Sequence, residues 1–403
     1  MNESEKPMTT ITPTSTTEIA EAAEASGIEL FDLMGEYQYE QIVLCHEPYT
    51  RLRAVICIHN TTLGPALGGI RMWPYETERE AIIDAMRLAR AMTFKAAVAG
   101  LNLGGGKSVI IGDPRKDKSE VMFRALGRFV DTLNGRYIAA EDVGTATEDM
   151  DYVAMETPFV TGIDFSNGGS GDPSPMTALG VYHGIRAAAQ KVYGSPDLHD
   201  RRVSLQGCGN VGRHLAKLLA NAGARLTVTD IHDDNIAHVT EQTGAAHCAP
   251  SEIYDIPCDI FTPCALGGAV NPLTIDQLTG NGGDLRIIAG AANNILDSDS
   301  TGHLLHKKEI LYAPDYVINA GGLINVSEEL GGYNADRAKK RIIKIFDNLT
   351  KVFDLAVERN IPPHEAAEAV AMERIRAVRP IADVYTGHNR TAWQHKPIAL
   401  QNH

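Results

Sequence analysis

Two lysines, Lys95 and Lys107, are the first residues in this chain whose type and spacing suggest chemistry. Lys95 follows an apolar helical pattern, and Lys107 follows three consecutive glycines. Apolar neighbours predict that both are buried, and burial lowers the pKa of a lysine. A second cation nearby lowers it further, so that Lys107 can act as a general acid or base near neutral pH. The alternative is a pair of ordinary surface lysines.

The residues before Lys107 also resemble a phosphate-binding P-loop. The pattern G-x-x-x-x-G-K-[ST] requires glycine at position 101, where this chain has Leu101. Backbone amides that surround phosphate tolerate little error in register. We therefore predict a glycine-rich turn that presents Lys107, and no P-loop.

A dinucleotide-binding motif lies in the second half of the chain. A strand-like segment, 202–206, is followed by Gly207-Cys208-Gly209-Asn210-Val211-Gly212, and a helical pattern then extends to about residue 221. In this fingerprint the first glycine permits the turn, the second lets the backbone approach a pyrophosphate, and the helix N-terminus attracts the phosphates. The alternative is a glycine-rich turn without a ligand.

The predicted second strand of this motif, 225–229, ends at Asp230. An acid at this spacing binds the ribose 2′-hydroxyl of a dinucleotide and repels a 2′-phosphate. The sequence therefore favours NAD over NADP.

Strand and helix patterns alternate along the chain, as is typical of an α/β protein with mostly parallel sheets. We predict two domains with a cleft between them: a substrate and oligomerisation domain, 28–161 plus 351–386, and a Rossmann NAD-binding domain, 162–350. A long helix over 335–358 is predicted to return the chain to the first domain. Residues 1–27 and 387–403 are predicted to be a flexible tail and a loose C-terminal tail.

Composition excludes several classes of protein. The chain has 403 residues and a net charge of −14, which argues against nucleic acid as a partner. No apolar run approaches the ~18–20 residues of a membrane span, and the N-terminus does not resemble a secretory signal. The six cysteines form no CxxC pair, which predicts free thiols in the cytoplasm and no metal site.

Several motifs together resemble the glutamate/leucine/phenylalanine/valine dehydrogenase family, most closely its leucine dehydrogenase branch. The resemblance extends from about Ile28 to Arg379. The motifs that carry it are Leu63-Gly64-Pro65-Ala66-Leu67-Gly68-Gly69-Ile70-Arg71-Met72-Trp73, Met92-Thr93-Phe94-Lys95, Gly104-Gly105-Gly106-Lys107, Ala140-Glu141-Asp142-Val143-Gly144-Thr145 and the segments 263–268, 289–294 and 319–322.

The resemblance implies NAD-dependent oxidative deamination of an L-amino acid to a 2-oxo acid and ammonia. It assigns the substrate carboxylate to Lys95, activation of water to Lys107 and proton transfer to Asp142. An alternative for Asp142 is a helix cap or a salt-bridge partner.

The resemblance also implies a set of residues around the cofactor. The pyrophosphate would bind Gly207 to Arg213, with the ribose on Asp230. The residues expected around the nicotinamide and the substrate are Thr177, Ala265, Asn293 and Asn319. The alternative for the two asparagines is a role in turns.

Substrate choice is suggested by two apolar positions. Glutamate-specific members have a lysine where this chain has Leu67, and a serine where it has Val326. We expect Leu67, Gly68, Leu323 and Val326 to line the pocket, in which a buried γ-carboxylate would lack a partner. Leucine, valine and isoleucine are therefore favoured over glutamate. An aromatic substrate and a catalytically silent binding protein stay open, and the family suggests a homo-oligomer, a dimer or an octamer.

Overall fold

The computed structural model describes residues 29–265, 267–280 and 284–382. Both predicted tails, 1–27 and 387–403, lie outside these residues. In the described part of the chain, no helix is both long enough and apolar enough to cross a membrane.

The N-terminal unit is a five-stranded mixed sheet with helices packed on it. The strand order is β1-β2-β4-β3-β5, with β3 parallel to both of its neighbours and β2 antiparallel to both of its own. The elements, in chain order, are α1 Leu30–Tyr37, β1 Gln41–Glu47, β2 Leu52–Asn60, β3 Ala66–Trp73, α2 Glu78–Val98, β4 Gly104–Ile111, α3 Glu120–Thr132, β5 Tyr137–Glu141 and α4 Thr147–Ala154.

The second unit is a six-stranded, fully parallel sheet of order β11-β10-β9-β6-β7-β8. This is the doubly wound arrangement that the sequence predicts. Its elements are α5 Ser174–Tyr193, β6 Arg202–Gln206, α6 Asn210–Asn221, β7 Arg225–Thr229, α7 Asp233–Thr243, β8 Ala246–His247, β9 Ile260–Pro263, α8 Pro272–Gly280, β10 Ile287–Ile288, α9 Asp299–Lys307, β11 Leu311–Tyr312, α10 Asp315–Ile318 and α11 Gly321–Ser327.

Three further helices complete the described chain: α12 Ala335–Ile342, α13 Ile345–Arg359 and α14 Pro363–Ala382. The single long helix predicted over 335–358 is therefore wrong, because the chain turns between α12 and α13. Ile343 lies at this turn and is 46% exposed.

The C-terminal helices also differ from the prediction in what they contact. Helix α13 packs on α5 of the second unit, and it is α14 that reaches α2 of the N-terminal unit. Arg374 of α14 donates hydrogen bonds to the carbonyl oxygens of Ala97, at 3.0 Å, and Leu101, at 2.6 Å. The predicted boundary between 350 and 351 falls inside α13, so this packing favours a crossover after Arg359.

Candidate active site

Lys107 lies in the N-terminal sheet, in β4. The three glycines before it belong to the same strand, so the predicted glycine-rich turn is wrong. Crowding by neighbouring elements explains them, because a Cβ at Gly105 would lie 2.1 Å from the backbone nitrogen of Thr93. An extended strand also excludes a P-loop, whose amides must curve around phosphate.

The side chains of Lys107 and Asp142 meet over strand β3. Lys107 Nζ lies 2.7 Å from Asp142 Oδ2, although β4 and β5 flank β3 in the sheet. Gly69 of β3 provides the space, because a Cβ there would lie 2.6 Å from the Cβ of Asp142. A Cβ at the preceding Gly68 would lie 1.6 Å from the carbonyl oxygen of Gly106, so Gly68 allows β3 and β4 to approach each other.

Arg71 holds Asp142 from the other side. Its Nε donates to Asp142 Oδ2 at 3.0 Å, and its Nη1 donates to Asp84 Oδ2 at 2.9 Å. Tyr75 also donates to Asp84 Oδ2, at 2.6 Å. The Asp142 carboxylate is therefore fixed between two cations, which agrees with its alternative reading as a salt-bridge partner. Its role in proton transfer stays a prediction.

Burial and charge set the protonation of this pair. Burial lowers the pKa of Lys107 from its ordinary value, the negative charge of Asp142 opposes this, and the positive charge of Arg71 adds to it. Burial raises the pKa of Asp142, but Lys107 and Arg71 outweigh that effect and lower its pKa to about 2. The carboxylate is ionised at neutral pH, and the lysine is more easily deprotonated than a lysine in water.

Lys95 connects the two units of the chain. It lies near the end of α2, and its Nζ donates to Asn319 Oδ1 at 2.7 Å. Asn319 Nδ2 in turn donates to Asn293 Oδ1 at 2.7 Å and to the carbonyl oxygen of Ala291 at 3.2 Å. Both asparagine side chains are therefore joined to Lys95, and the left-handed turn conformation belongs to Asn294 instead.

The pKa of Lys95 is lowered to about 8. Burial is the largest cause, the charges of Asp315 and Asp142 oppose it, and the charge of Lys107 lowers the pKa further. Two lysines and two acids thus influence one another in one site, which lies between the two units.

The predicted specificity residues lie on both sides of the same region. Leu67 of β3 is 2% exposed, Leu323 of α11 is 7% exposed, and both belong to one buried apolar cluster. Val326 lies one turn further along α11 and is half-buried. An apolar surface therefore accompanies the buried charges.

The glycine-rich motif forms the turn that the sequence predicts. Gly207 has φ 103°, a conformation that favours glycine. A Cβ at Gly212 would lie 1.9 Å from the carbonyl oxygen of Gly207, so this glycine allows α6 to pack on β6. Gly209 is the N-cap of α6 and is exposed, with free space around it. Cys208 is buried, whereas Asn210, Val211 and Arg213 occupy the first turn of α6.

Asp230 follows β7, at the end of the motif. Its Oδ2 accepts a hydrogen bond from the backbone nitrogen of Cys208 at 2.7 Å, and its Oδ1 accepts from that of His232 at 2.9 Å. Asn235 Nδ2 donates to Oδ1 at 3.2 Å. The carboxylate is therefore held against the turn where the fingerprint requires an acid.

Two more predicted cofactor residues lie near these elements. Thr177 Oγ1, in the first turn of α5, donates to the carbonyl oxygen of Pro173 at 3.1 Å. A Cβ at Gly322 would lie 2.8 Å from Thr177 Oγ1. Ala265 is exposed beside the glycine-rich turn, since a Cβ at Gly207 would lie 2.8 Å from its backbone nitrogen. The roles of all these residues stay predictions.

Sequence reasoning missed Arg71 and Asp315 as parts of the site. Arg71 is visible in the motif 63–73, but nothing in its spacing indicates Asp142 as its partner. Burial raises the pKa of Asp315. The hydrogen bonds that it accepts from the backbone nitrogens of Tyr316 and Ile295, together with the charge of Lys95, oppose this rise. A single acid after a proline gives no signal in the sequence.

The chain is similar to known proteins over most of its length. Residues 40–159 match the family model of the Glu/Leu/Phe/Val dehydrogenase dimerisation domain, and residues 168–235 and 227–379 match that of the Glutamate/Leucine/Phenylalanine/Valine dehydrogenase domain. The chain is similar to a leucine dehydrogenase of Thermoactinomyces intermedius, with 53% identity over 90% of this chain and 98% of that protein.

Two further relatives differ in the substrate that their names give. A valine dehydrogenase of Streptomyces coelicolor is 47% identical over 85% of this chain and 93% of its own length. The crystal structure of the L-tryptophan dehydrogenase from Nostoc punctiforme has a TM-score of 0.78 and 42% identity, and covers 87% of this chain and 100% of that one. The chain therefore belongs to the glutamate/leucine/phenylalanine/valine dehydrogenase family of amino acid dehydrogenases.

Proposed function

We propose that this chain catalyses the reversible, NAD-dependent oxidative deamination of branched-chain L-amino acids, leucine together with valine and isoleucine, to 2-oxo acids and ammonia. The observation that carries the proposal is the Lys107–Asp142 ion pair at 2.7 Å, in a site that also holds Lys95 and a buried apolar surface. This combination offers a carboxylate-binding cation, a proton-transfer pair and a place for an aliphatic side chain.

Lys95 is proposed to bind the substrate carboxylate. Its ammonium donates to Asn319 Oδ1 and retains two further N–H donors. Because Asn319 also bonds to Asn293, the two asparagines orient Lys95 across the cleft. Binding of the carboxylate at this point would place the α-carbon between the two units.

Lys107 and Asp142 are proposed to move the protons. Deamination requires a water molecule to lose a proton as it adds to the imine carbon, and the departing amine to gain one. A neutral Lys107 Nζ can accept the proton of that water, and its lowered pKa makes this form easier to reach than in a lysine exposed to water. The ionised Asp142 stabilises the ammonium that results, accepts a proton from it at Oδ2 and passes that proton to the departing amine.

Leu67, Gly68, Leu323 and Val326 are proposed to select the substrate side chain. An aliphatic group gains about 1.5–3 kcal/mol on burial against such a surface. A γ-carboxylate placed there lacks the lysine and serine that glutamate-specific relatives are expected to supply. It would be an unpaired buried charge, which makes the binding of glutamate unfavourable. This comparison favours leucine, valine and isoleucine.

The residues of the glycine-rich turn fit a dinucleotide. The free space beside Gly209 at the N-terminus of α6 suits a pyrophosphate, and the Asp230 carboxylate suits an unphosphorylated ribose. Bound NAD would supply the hydride acceptor. Gly207 to Arg213 and Asp230 would hold its pyrophosphate and ribose, whereas Thr177, Ala265, Asn293 and Asn319 would surround the nicotinamide.

The proposal extends to the domain organisation, the oligomeric state and the cellular compartment of the protein. We place residues 28–161 and helix α14 in a substrate domain, and the chain from 162 to the end of α13 in a NAD-binding domain that closes on substrate. A homo-oligomer, either a dimer or an octamer built from dimers, is proposed from the match to a dimerisation domain. Free thiols such as that of Cys57 favour a reducing compartment, the cytoplasm.

The test is NADH formation, followed by absorbance, with a panel of L-amino acids. We expect the highest kcat/KM with leucine, valine or isoleucine, and almost no activity with glutamate. Higher kcat/KM with phenylalanine or tryptophan would assign the same chemistry to aromatic substrates. Absence of turnover with every amino acid would contradict the proposal and favour a catalytically silent binding protein.

A further inference from the structure

A cluster of possible metal ligands lies where α9 meets α14, and it includes none of the residues of the candidate active site. One ring nitrogen of His303, one of His364 and a carboxylate oxygen of Glu365 all lie within 4.8 Å of one another. His303 Nε2 is already 3.1 Å from Glu365 Oε1. Two imidazoles and one carboxylate form a ligand set that binds Zn²⁺ in proteins.

His364 has an orientation and environment that suit a ligand. Both of its ring nitrogens are buried and lack a hydrogen-bond partner among the described residues. Buried polar groups in proteins are almost always satisfied, so an imidazole with two unpaired nitrogens implies a missing partner.

The backbone opposite His364 provides room for the ring. A Cβ at Gly302 would lie 2.2 Å from His364 Cε1, so only glycine at this position of α9 allows the imidazole to pack there. The ring is therefore held against α9, next to His303, whose own side chain is 57% exposed. Solvent can reach the cluster through His303.

The distances require only small adjustments. Tetrahedral coordination at bond lengths of about 2.0–2.1 Å places ligand atoms roughly 3.4 Å apart. The exposed side chain of His303 and the half-buried side chain of Glu365 can rotate to reach this spacing, whereas His364 stays fixed. The nitrogen ligands disfavour Mg²⁺ and Ca²⁺, which prefer oxygen.

We propose that His303, His364 and Glu365 bind one Zn²⁺ ion, with water in the remaining coordination position. The ion would fasten α14 to α9 of the second unit. Because Arg374 of α14 also bonds to the N-terminal unit through Ala97 and Leu101, the site would brace the helix that connects the two units. The proposed ligands share no residue with the site proposed for deamination.

The experiment measures Zn²⁺ affinity of the full chain, without a purification tag, by competition with a chromophoric chelator. The wild-type chain should bind one tight equivalent and show a higher unfolding midpoint with Zn²⁺, with no such rise with Mg²⁺. His303→Ala, at an exposed position that should not affect folding, should weaken binding at least about tenfold. His364→Gln should do the same and abolish the rise in the midpoint.

His199→Asn is the matched control. His199 also pairs with a carboxylate, Asp200 at 3.2 Å, but belongs to no cluster of three possible ligands among the described residues. This variant should bind Zn²⁺ like the wild-type chain. Unchanged affinity in His303→Ala, equal loss in His199→Asn, or no tight Zn²⁺ binding by the wild-type chain would each overturn the proposal.

Discussion

Lys107 and Asp142 form an ion pair of 2.7 Å above a strand to which neither belongs. Strand β3 separates them in the sheet, and Gly69 leaves the space beside Asp142 free of a side chain. Gly69 of the motif 63–73 therefore contributes to the site because it has no side chain. The pair depends on β4, on the residue after β5 and on β3 between them, although β3 supplies neither of the two paired charges.

The first prediction concerns this space. Gly69→Ala places a Cβ 2.6 Å from Asp142 Cβ and 2.7 Å from the carbonyl oxygen of Glu141, which should cost roughly 1–3 kcal/mol of unfolding free energy through overpacking. The value of kcat should fall by more than the loss of folded protein can explain, because Asp142 moves away from Lys107. Urea unfolding and kcat measure the two effects.

Gly35→Ala is the control for that substitution. Gly35 lies in α1, where an added Cβ meets nothing within 4 Å, so alanine should raise the unfolding free energy by about 0.5–1 kcal/mol. If Gly69→Ala and Gly35→Ala behave alike, β3 does not control the approach of Lys107 to Asp142.

The second prediction concerns cofactor choice. Asp230→Ser removes the carboxylate that would bind the ribose 2′-hydroxyl, and with it the repulsion of a 2′-phosphate. The ratio of kcat/KM with NAD to that with NADP should therefore fall. A wild-type enzyme that already prefers NADP would show that Asp230 does not have this role.

The third prediction concerns the pH dependence of carboxylate binding. Burial lowers the pKa of Lys95 to about 8, so above pH 8 the free protein increasingly holds a neutral lysine. The affinity for 4-methylpentanoate, which carries a carboxylate but no amine, should fall about tenfold per pH unit there. Isothermal titration with NAD present measures it.

Lys95→Arg is the control, because a guanidinium keeps its charge over the whole range. Affinity of this variant should be weaker but independent of pH between 7 and 10. A wild-type affinity that is also independent of pH would exclude Lys95 as the carboxylate ligand.

The fourth prediction concerns the substrate side chain. Leu67→Lys buries a charge that leucine leaves unpaired, at a cost of about 1–3 kcal/mol, so kcat/KM for leucine should fall roughly 5- to 150-fold. Activity on glutamate should rise, and more so with Val326→Ser. An unchanged ratio of the two kcat/KM values in folded variants would mean that Leu67 does not face the substrate.

Local patterns are sufficient to predict the glycine-rich turn after β6, because Gly207, Gly212 and Asp230 belong to one strand–turn–helix–strand unit. The surroundings of Lys107 were not predictable in this way. Three glycines favour a turn when considered alone, and only the crowding by Thr93 and neighbouring strands makes them necessary in β4. Contacts between distant segments decide such positions.

Distance along the chain also explains the missed partners. Arg71 and Asp142 are adjacent only because β3 and β5 pair, and Asp315 approaches Lys95 only when the two units meet. His303 and His364 are also distant in the sequence and come together only in the folded chain. The spacing of cysteines and histidines therefore could not indicate a metal site. The sequence pattern did not predict the end of α12, because apolar residues continue at helical spacing across the turn between α12 and α13.

The most direct test of the account is the kinetic comparison of Lys107→Ala with Lys95→Ala on leucine and NAD. Lys107→Ala should lower kcat by ~10²–10⁴, the usual contribution of a positioned proton-transfer group, with NAD affinity nearly unchanged. Lys95→Ala should act mainly on KM, because its carboxylate partner is present in the ground state and the transition state alike. A Lys107→Ala enzyme with near-normal kcat would contradict the assignment of catalysis to the Lys107–Asp142 pair.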